Sequence, residues 1–274
     1  MFQLGRNAIT RAAVVLPLLC GVASLSVSAQ GRVFTAAPLT PDGGFWATGK
    51  AAAHRPADRP VIVSNVSACK PTIGPGSSPA GGYLGLSLFG IQPLSASDDS
   101  VINFNVPTYV YGNQTYSKIG FSSNGYAIVG GATSNADNAY LNQTLPDPAP
   151  PNNVIAPFWT DLDPSAAGAL RIATLTDGTD DWIVLDWDSV PELSTGLTDQ
   201  FELWIGYNGV EDISIAYGVM NGDGYNGFAT VGFEDATGTV GRMAYLNGAG
   251  TRPVVGTQLR IMNCDRIFAD GFDL

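Results

Sequence analysis

The sequence predicts an all-β protein, an antiparallel β-sandwich or jelly-roll-like fold with about 10–13 strands. Apolar residues alternate with a period of two, Asn-Gly and Asp-Gly pairs separate these runs, and no stretch after residue 30 has a sustained 3.6-residue apolar stripe. The composition agrees, because only 14% of residues are charged while glycine (33) and proline (18) are abundant. Surface helices would need more lysine, glutamate and arginine.

The first 29 residues are typical of a secretory signal peptide. Arg6 and Arg11 form a positive n-region, residues 12–22 form an apolar h-region, and Val27 and Ala29 are the small residues at positions −3 and −1 of a cleavage site. The apolar run is too short to span about 30 Å of hydrocarbon, which disfavours a transmembrane anchor. We therefore expect an exported protein that is secreted or held on the outer cell surface.

Residues 30–80 are rich in alanine, proline, glycine and serine and show little periodicity. This pattern predicts a mostly irregular leader with one candidate strand at residues 61–63. From residue 81 the sequence changes to runs in which apolar residues alternate with others, such as Phe201, Leu203 and Ile205, with hairpin-turn signals between the runs. The β-sandwich domain is therefore predicted over residues 81–263, and residues 264–274 form a C-terminal tail.

The chain is strongly acidic, with a net charge of −11. Loss of residues 1–29 would remove two of its 13 cations and none of its 24 anions, leaving 11 cations and a net charge of −13. An acidic chain repels nucleic acid and anionic lipid, so neither is expected as the main partner. No segment outside the signal peptide is long and apolar enough to predict a membrane span.

Cysteine usage predicts one disulfide. Cleavage of the signal peptide leaves only Cys69 and Cys264, a single pair in an oxidising compartment. The two cysteines flank nearly all of the sequence that predicts folded structure. A Cys69–Cys264 bridge would therefore join the two ends of the domain.

The groups that most hydrolases use are missing from the predicted domain. The only histidine, His54, lies in the irregular leader, which cannot hold it against a serine and a buried carboxylate. One histidine and two separated cysteines do not make a zinc site, and no phosphate-binding or dinucleotide-binding motif follows a predicted strand. We expect no enzyme activity and no cofactor, with calcium as the one candidate ion.

Carboxylates are the remaining candidates for chemistry. Glu202 and Glu234 fall on or beside predicted strands, and a glycosidase needs two carboxylates about 5–9 Å apart. Glu202 shares a predicted strand face with Trp204, opposite Phe201 and Leu203, so this pair is the candidate ligand-binding site for a sugar. The alternative is an ordinary solvent-facing pair without a ligand.

The stretch VIAPFWTDLDP, residues 154–164, places an apolar run beside two aspartates. Its first six residues are apolar at every position and predict a strand that is buried on both sides, with an edge or a bulge at Pro157. Asp161 and Asp163 are the candidate metal ligands, because they would point the same way on a continuing strand. The alternative is that both aspartates accept hydrogen bonds from backbone N–H groups in a turn before Pro164.

Five motifs between residues 101 and 262 carry a family resemblance: TYVYGNQTYSKIGFSSNGYAIVGG, LPDPAPPNNVIAPFWTDLDP, DDWIVLDWDSV, QFELWIGYNGVEDISIAYG and GFATVGFEDATG. Together they resemble the non-catalytic β-domain at the C-terminal end of secreted bacterial subtilisin-like serine peptidases. They are also similar, more distantly, to the nidogen-like extracellular domain. The resemblance implies an accessory or adhesive module. No segment resembles the peptidase domain itself, so neither protease activity nor binding residues transfer.

A second resemblance concerns the C-terminus, CDRIFADGFDL. It is similar to a short IFxDGFE-type tail that ends many secreted proteins of some Gram-negative bacteria, although Asp273 replaces the last glutamate and Leu274 follows it. This resemblance implies a sorting or surface-retention signal. The alternative is a tail whose Phe268 and Phe272 pack on the domain.

Three functions are consistent with these observations. The first is a secreted or cell-surface binding or adhesion module whose ligand is a polysaccharide or a protein. The second is an accessory or assembly partner of exported peptidases. The third is a carboxylate-dependent glycan hydrolase or lyase, which would require two facing carboxylates in a cleft.

Overall fold

The structure is a computed structural model that describes residues 14–15, 25–48, 71–210 and 212–262. These residues form seventeen strands and three short 3-10 helices, Leu86–Phe89, Asn135–Asp137 and Tyr225–Gly227. The strands are β1 (Val14–Val15), β2 (Ser26–Ala29), β3 (Arg32–Pro38), β4 (Pro41–Thr48), β5 (Thr72–Pro75), β6 (Ser100–Tyr111), β7 (Gln114–Ser122), β8 (Ala127–Val129), β9 (Val154–Trp159), β10 (Ala169–Thr176), β11 (Asp181–Pro191), β12 (Thr198–Tyr207), β13 (Ile213–Met220), β14 (Thr230–Glu234), β15 (Gly241–Leu246), β16 (Ala249–Gly250) and β17 (Gln258–Met262).

The strands form two antiparallel sheets. The nine-stranded sheet has the order β1-β2-β3-β10-β11-β12-β13-β17-β5, and the eight-stranded sheet has the order β16-β15-β14-β9-β8-β7-β6-β4. Neighbours in each sheet are mostly consecutive in the chain. The predicted all-β sandwich is confirmed, although the strand count exceeds the predicted 10–13 because short strands and the leader contribute. Within the described residues, no helix has the length and apolar character needed to cross a bilayer.

One apolar core fills the space between the two sheets. In β12, Phe201, Leu203 and Ile205 are fully buried in this core, as the period of two predicted. Aromatic rings meet across it: the Trp187 ring stacks on Phe201 with centroids 4.9 Å apart and meets Phe121 edge-on at 4.6 Å. Such aromatic pairs contribute about 0.5–1.5 kcal/mol beyond the area that they bury.

Both sheets are also covered on their outer faces by irregular segments. On the nine-stranded sheet, residues 80–91 supply Leu84, Leu86 and Phe89 to an apolar cluster that contains Trp182 and Trp204. On the eight-stranded sheet, the segment between β8 and β9 supplies Ala132 and Leu145 to a second cluster. The other members of this cluster are Val101, Tyr126, Ile128, Val154, Ala156 and Trp159. A large share of the sheet surface is therefore buried on two sides.

Strand β9 shows why its sequence is apolar throughout. All six of its residues are buried. Ile155 and Phe158 belong to the core between the sheets, whereas Ala156 and Trp159 belong to the outer cluster. The register with β14 shifts between Ala156 and Trp159, so a bulge lies at Pro157. The predicted double-sided burial and the predicted bulge are both confirmed.

The region expected to be an irregular leader differs from that expectation. Strands β3, β4 and β5 lie in it, and β3 pairs with β10 through four residue pairs. Pairing with the sheet outweighs the weak local preference of an Ala- and Pro-rich sequence. The candidate strand at residues 61–63, His54 and the tail at residues 264–274 lie outside the described residues.

The two ends of the domain are paired in the nine-stranded sheet. Strand β5 is antiparallel to β17, with Thr72 opposite Met262. Cys69 lies three residues before Thr72 and Cys264 two residues after Met262, so this register supports the predicted bridge. Both cysteines lie outside the described residues, and the disulfide remains a prediction.

We expect the exported protein to contain no free thiol in thiol titration under native conditions. The bridge would close a long loop, for which the chain-entropy model gives roughly 5 kcal/mol and measurements usually give less. Cys264→Ser, or reduction of the wild type, should lower the melting temperature by about 5–10 °C. Two titratable thiols in the folded protein would contradict the disulfide.

Candidate functional site

Five of the carboxylates that are buried among the described residues each accept a hydrogen bond from the backbone N–H of an irregular segment. They are found on or next to three strands, β11, β12 and β14, as Asp186, Glu192, Asp199, Glu202 and Glu234. A buried carboxylate loses its hydration, which favours its protonated form. Glu202 and Glu234 are the two that the sequence indicated for chemistry, and the hydrogen-bond partners of all five show what these carboxylates do.

Asp186 and Glu202 form the best-connected pair. They lie opposite each other on β11 and β12. The Tyr83 hydroxyl donates to Asp186 at 2.8 Å and the Leu86 N–H donates at 2.9 Å. The Leu84 N–H donates to Glu202 at 2.9 Å. The pair therefore attaches the covering segment to the outer face of the nine-stranded sheet.

Burial also changes the acidity of this pair. It raises the pKa of Asp186 to about 7, against the lowering effect of the hydrogen bond from the Leu86 N–H. Burial, followed by the charge of Asp186, raises the pKa of Glu202 well above its ordinary value. Glu202 Oε1 has no hydrogen-bond partner among the described residues. A proton on Glu202 removes the repulsion between the two facing groups.

The expected ligand-binding role of Glu202 and Trp204 does not fit this geometry. The two residues share a face, as predicted, and the Trp204 Nε1–H donates to Glu202 at 3.1 Å. Both are completely buried, however, because Leu84 and Leu86 cover that face. The prediction of a solvent-facing sugar platform was wrong, because a sugar cannot reach either side chain while residues 80–91 cover them.

Glu192 and Asp199 hold a second loop. The Gly224 N–H donates to Glu192 at 2.6 Å, and the Gly222 N–H donates to Asp199 at 3.0 Å. Burial raises the pKa of Glu192 to about 7 and that of Asp199 to about 6. A Cβ at position 222 would lie 1.9 Å from Glu192 Oε1, so only glycine allows this close approach.

Glu234 binds an irregular segment to the eight-stranded sheet. Its Oε2 accepts the Asp147 N–H at 2.8 Å, and burial raises its pKa to about 8. The two catalytic candidates, Glu202 and Glu234, thus belong to different sheets and bind different segments. This arrangement does not form the pair of facing carboxylates that the glycosidase hypothesis requires.

The two aspartates of the stretch VIAPFWTDLDP, Asp161 and Asp163, have separate surroundings. Asp163 Oδ1 accepts the Ser165 N–H at 2.9 Å, so this turn contains Pro164, whereas the sequence predicted a turn before it. Asp161 is buried, and one of its carboxylate oxygens lies within 4.8 Å of oxygens from Asp98 and Asp99. The chain thus brings Asp161 to two aspartates that the sequence did not indicate, and Asp163 is not in this group.

A polar cavity of about 420 Å³ opens at one end of the nine-stranded sheet. Two ion pairs contribute to its walls: Arg260 lies 2.7 Å from Asp212, and Arg32 lies 3.6 Å from Asp180. Trp182 also lines the cavity, and its indole N–H has no acceptor among the described residues. Because positive and negative groups are balanced here, the cavity fits an uncharged polar ligand better than an ion.

Comparison with known families identifies a match to the NIDO-related family over residues 89–270. The chain belongs to this family. No curated protein and no solved structure matched the chain. A NIDO-related domain is an extracellular type of module, and the nidogen-like part of the resemblance is thereby confirmed. The association with subtilisin-like peptidases remains a prediction.

In this member of the NIDO-related family, we expect stability to fall as the pH rises. Between about pH 4.5 and pH 8 the folded state keeps a proton on Glu234 that the unfolded state has lost. The stabilisation is complete below pH 4.5 and is lost as the pH rises through 8. Between pH 5 and pH 9, the loss in the free energy of unfolding should be about 2–4 kcal/mol smaller in Glu234→Gln than in the wild type.

Urea unfolding at a series of pH values measures this difference. Glutamine keeps the acceptor for the Asp147 N–H but cannot ionise, so it isolates the titration from the hydrogen bond. Asp223→Asn, which changes an exposed carboxylate, is the control and should follow the wild type. Parallel curves for the wild type and Glu234→Gln would contradict the assignment.

The calcium hypothesis now concerns Asp98, Asp99 and Asp161. Calcium binds six to eight oxygens, so carbonyl or water oxygens would have to complete the site. If these carboxylates hold the ion, millimolar calcium raises the melting temperature by several degrees, Asp161→Asn removes the increase and Asp163→Asn keeps it. An unchanged melting temperature of the wild type in calcium would contradict the hypothesis.

Proposed function

We propose that this NIDO-related chain is a secreted or cell-surface, non-catalytic binding module that takes a saccharide into the cavity between Arg32 and Arg260. The observation that carries this proposal is the pairing of both arginines with aspartates on the cavity walls. The predicted signal peptide supports export, and the extracellular type of the family agrees with it. Adhesion to a surface polysaccharide is the role that these features fit best.

The chemistry of the cavity supports a hydroxyl-rich ligand. Each guanidinium has five N–H donors, and its carboxylate partner fixes its orientation. The remaining donors, together with the oxygens of Asp180 and Asp212, can bind hydroxyl groups both as donors and as acceptors. Ser77 and Ser78 line the same cavity. An anionic polymer would meet the two carboxylates and the net negative charge of the chain.

The surroundings of the carboxylates support a binding role over hydrolysis. A glycosidase needs one carboxyl group that can donate a proton next to a second carboxylate, both in contact with the substrate. The two carboxylates that line the cavity, Asp180 and Asp212, are each ion-paired with an arginine. The buried acids with raised pKa values accept hydrogen bonds from backbone N–H groups, and none of these acids lines the cavity.

A protein ligand is the alternative within the same function. The resemblance to accessory domains of exported peptidases favours it, because such a module would contact a partner protein in place of a glycan. No structural feature of the described residues favours a peptidase partner over the saccharide. A glycan array and a pull-down from the secreted proteins of the source organism separate the two ligand classes.

We expect the mature protein to bind a neutral glycan on an array, and Arg260→Gln to weaken that binding by about 10–100-fold. The substitution removes hydrogen bonds from a charged donor, which contribute about 1.5–3 kcal/mol each. Arg260 is about one-third exposed, at 36%, so the fold should tolerate the change. Titration calorimetry with the bound glycan measures the affinity.

Arg242→Gln is the matched control, because Arg242 is an exposed arginine on β15 of the other sheet. It should bind the glycan as the wild type does. Equal affinities for Arg260→Gln and the wild type would place the ligand elsewhere on the module. Turnover of an arrayed glycan would contradict the non-catalytic assignment.

A further inference from the structure

Strand β2 lies on the N-terminal side of the predicted cleavage point, within the predicted signal peptide. Cleavage after Ala29 would remove Ser26–Ala29, yet the structure pairs all four residues with β3. The pairs run from Ser26 opposite Thr35 to Ala29 opposite Arg32, with Gln30 and Gly31 in the connecting turn. Both turn residues have positive φ, as a type I′ hairpin turn requires.

Strand β2 also contributes to the apolar cluster on the outer face of the nine-stranded sheet. Val27 is completely buried and Ala29 nearly so. They belong to the same cluster as Phe34, Trp182 and Trp204. The strand packs against the short helix Leu86–Phe89, which is part of the covering segment. Residues that a signal peptidase removes have no reason to fill a core position.

Removal of β2 would damage the domain in two ways. It would expose the backbone N–H and C=O groups of β3 that now pair with β2, and it would leave β3 as the edge of the sheet. It would also empty the space that Val27 fills beside Phe34 and Trp182. A cleavage point between β1 and β2 removes only the two residue pairs of β1 with β2, and it keeps both the β2–β3 pairing and the packing of Val27.

We propose that the export signal is removed on the N-terminal side of Ser26, so that β2 stays in the mature protein. The sequence offers such a point, because Gly21 and Ala23 are small residues at positions −3 and −1 of the Ala23–Ser24 bond. The n-region and the h-region of the predicted signal remain complete. Signal peptidase hydrolyses the bond with one water molecule, which leaves a carboxylate on Ala23 and an amine on Ser24.

The first test determines the N-terminus of the exported protein. The full-length precursor is produced with its own signal in a Gram-negative host, purified from the exported fraction, and analysed by intact mass and N-terminal sequencing. We expect the chain to begin at Ser24. A mature chain that begins at Gln30 would overturn the proposal.

The second test uses substitutions within β2 of the full-length precursor. If β2 is retained, Val27→Ala removes buried methyl groups and lowers the melting temperature of the exported protein by about 3–8 °C. If β2 is cleaved off, the mature variant is chemically identical to the wild type and melts at the same temperature, which would also overturn the proposal. Ser28→Ala, at a half-buried position, is the control with a smaller expected change.

Discussion

Both sheets of this domain are apolar on their outer faces, and the need to cover those faces shapes the rest of the molecule. The covering segments have little regular structure, so the backbone N–H groups of these segments find no partners in the hydrogen bonding of the sheets. An unsatisfied buried N–H costs about 1–3 kcal/mol. Carboxylates that project from the sheets provide the missing acceptors: Asp186 and Glu202 bind the segment at Leu84 and Leu86, and Glu234 binds the N–H of Asp147.

This structural use of carboxylates has a consequence for function. A carboxylate in a strand suggests catalysis, especially when burial raises its pKa. Here the raised pKa values of Asp186, Glu192 and Glu234 have the same physical cause, which is loss of hydration beneath a loop. Their hydrogen bonds go to backbone N–H groups of this chain. A perturbed pKa therefore identifies an anchor point in this fold.

The sequence predicted the parts of the fold that depend on local pattern. The period of two assigned Phe201 and Leu203 to one face and Glu202 and Trp204 to the other, and Pro157 correctly indicated a bulge in a strand buried on both sides. The pattern could not show what covers a face. The covering segment comes from more than 100 residues earlier in the chain, since Leu84 and Glu202 are 118 positions apart. A polar residue on an outer face was therefore assigned to solvent.

Two other features depended on contacts between distant parts of the chain. The grouping of Asp161 with Asp98 and Asp99 requires the turn after β9 to meet the loop before β6, which no spacing in the sequence reveals. The strands of the leader were missed because sheet pairing determines their conformation. A signal did exist for Asp186, which precedes Trp187 in the alternating run DDWIVLDWDSV, and in the structure this strand pairs with the one that carries Glu202. Two carboxylates at one level of adjacent strands already require a proton, a cation or donors between them.

The position of the cavity separates the proposed ligand site from the buried carboxylates that anchor the covering segments. Its walls come from the start of β3, the β10–β11 turn with the start of β11, the turn between β12 and β13, β17 and the segment at Ser77. Turns at the end of a rigid sheet can differ in sequence without disturbing the core, whereas residues beneath the covering segments cannot. The buried acids stabilise the scaffold, and the arginines at its end remain free to contact a ligand. This division explains why the residues with the most unusual acidity are separate from those that we assign to recognition.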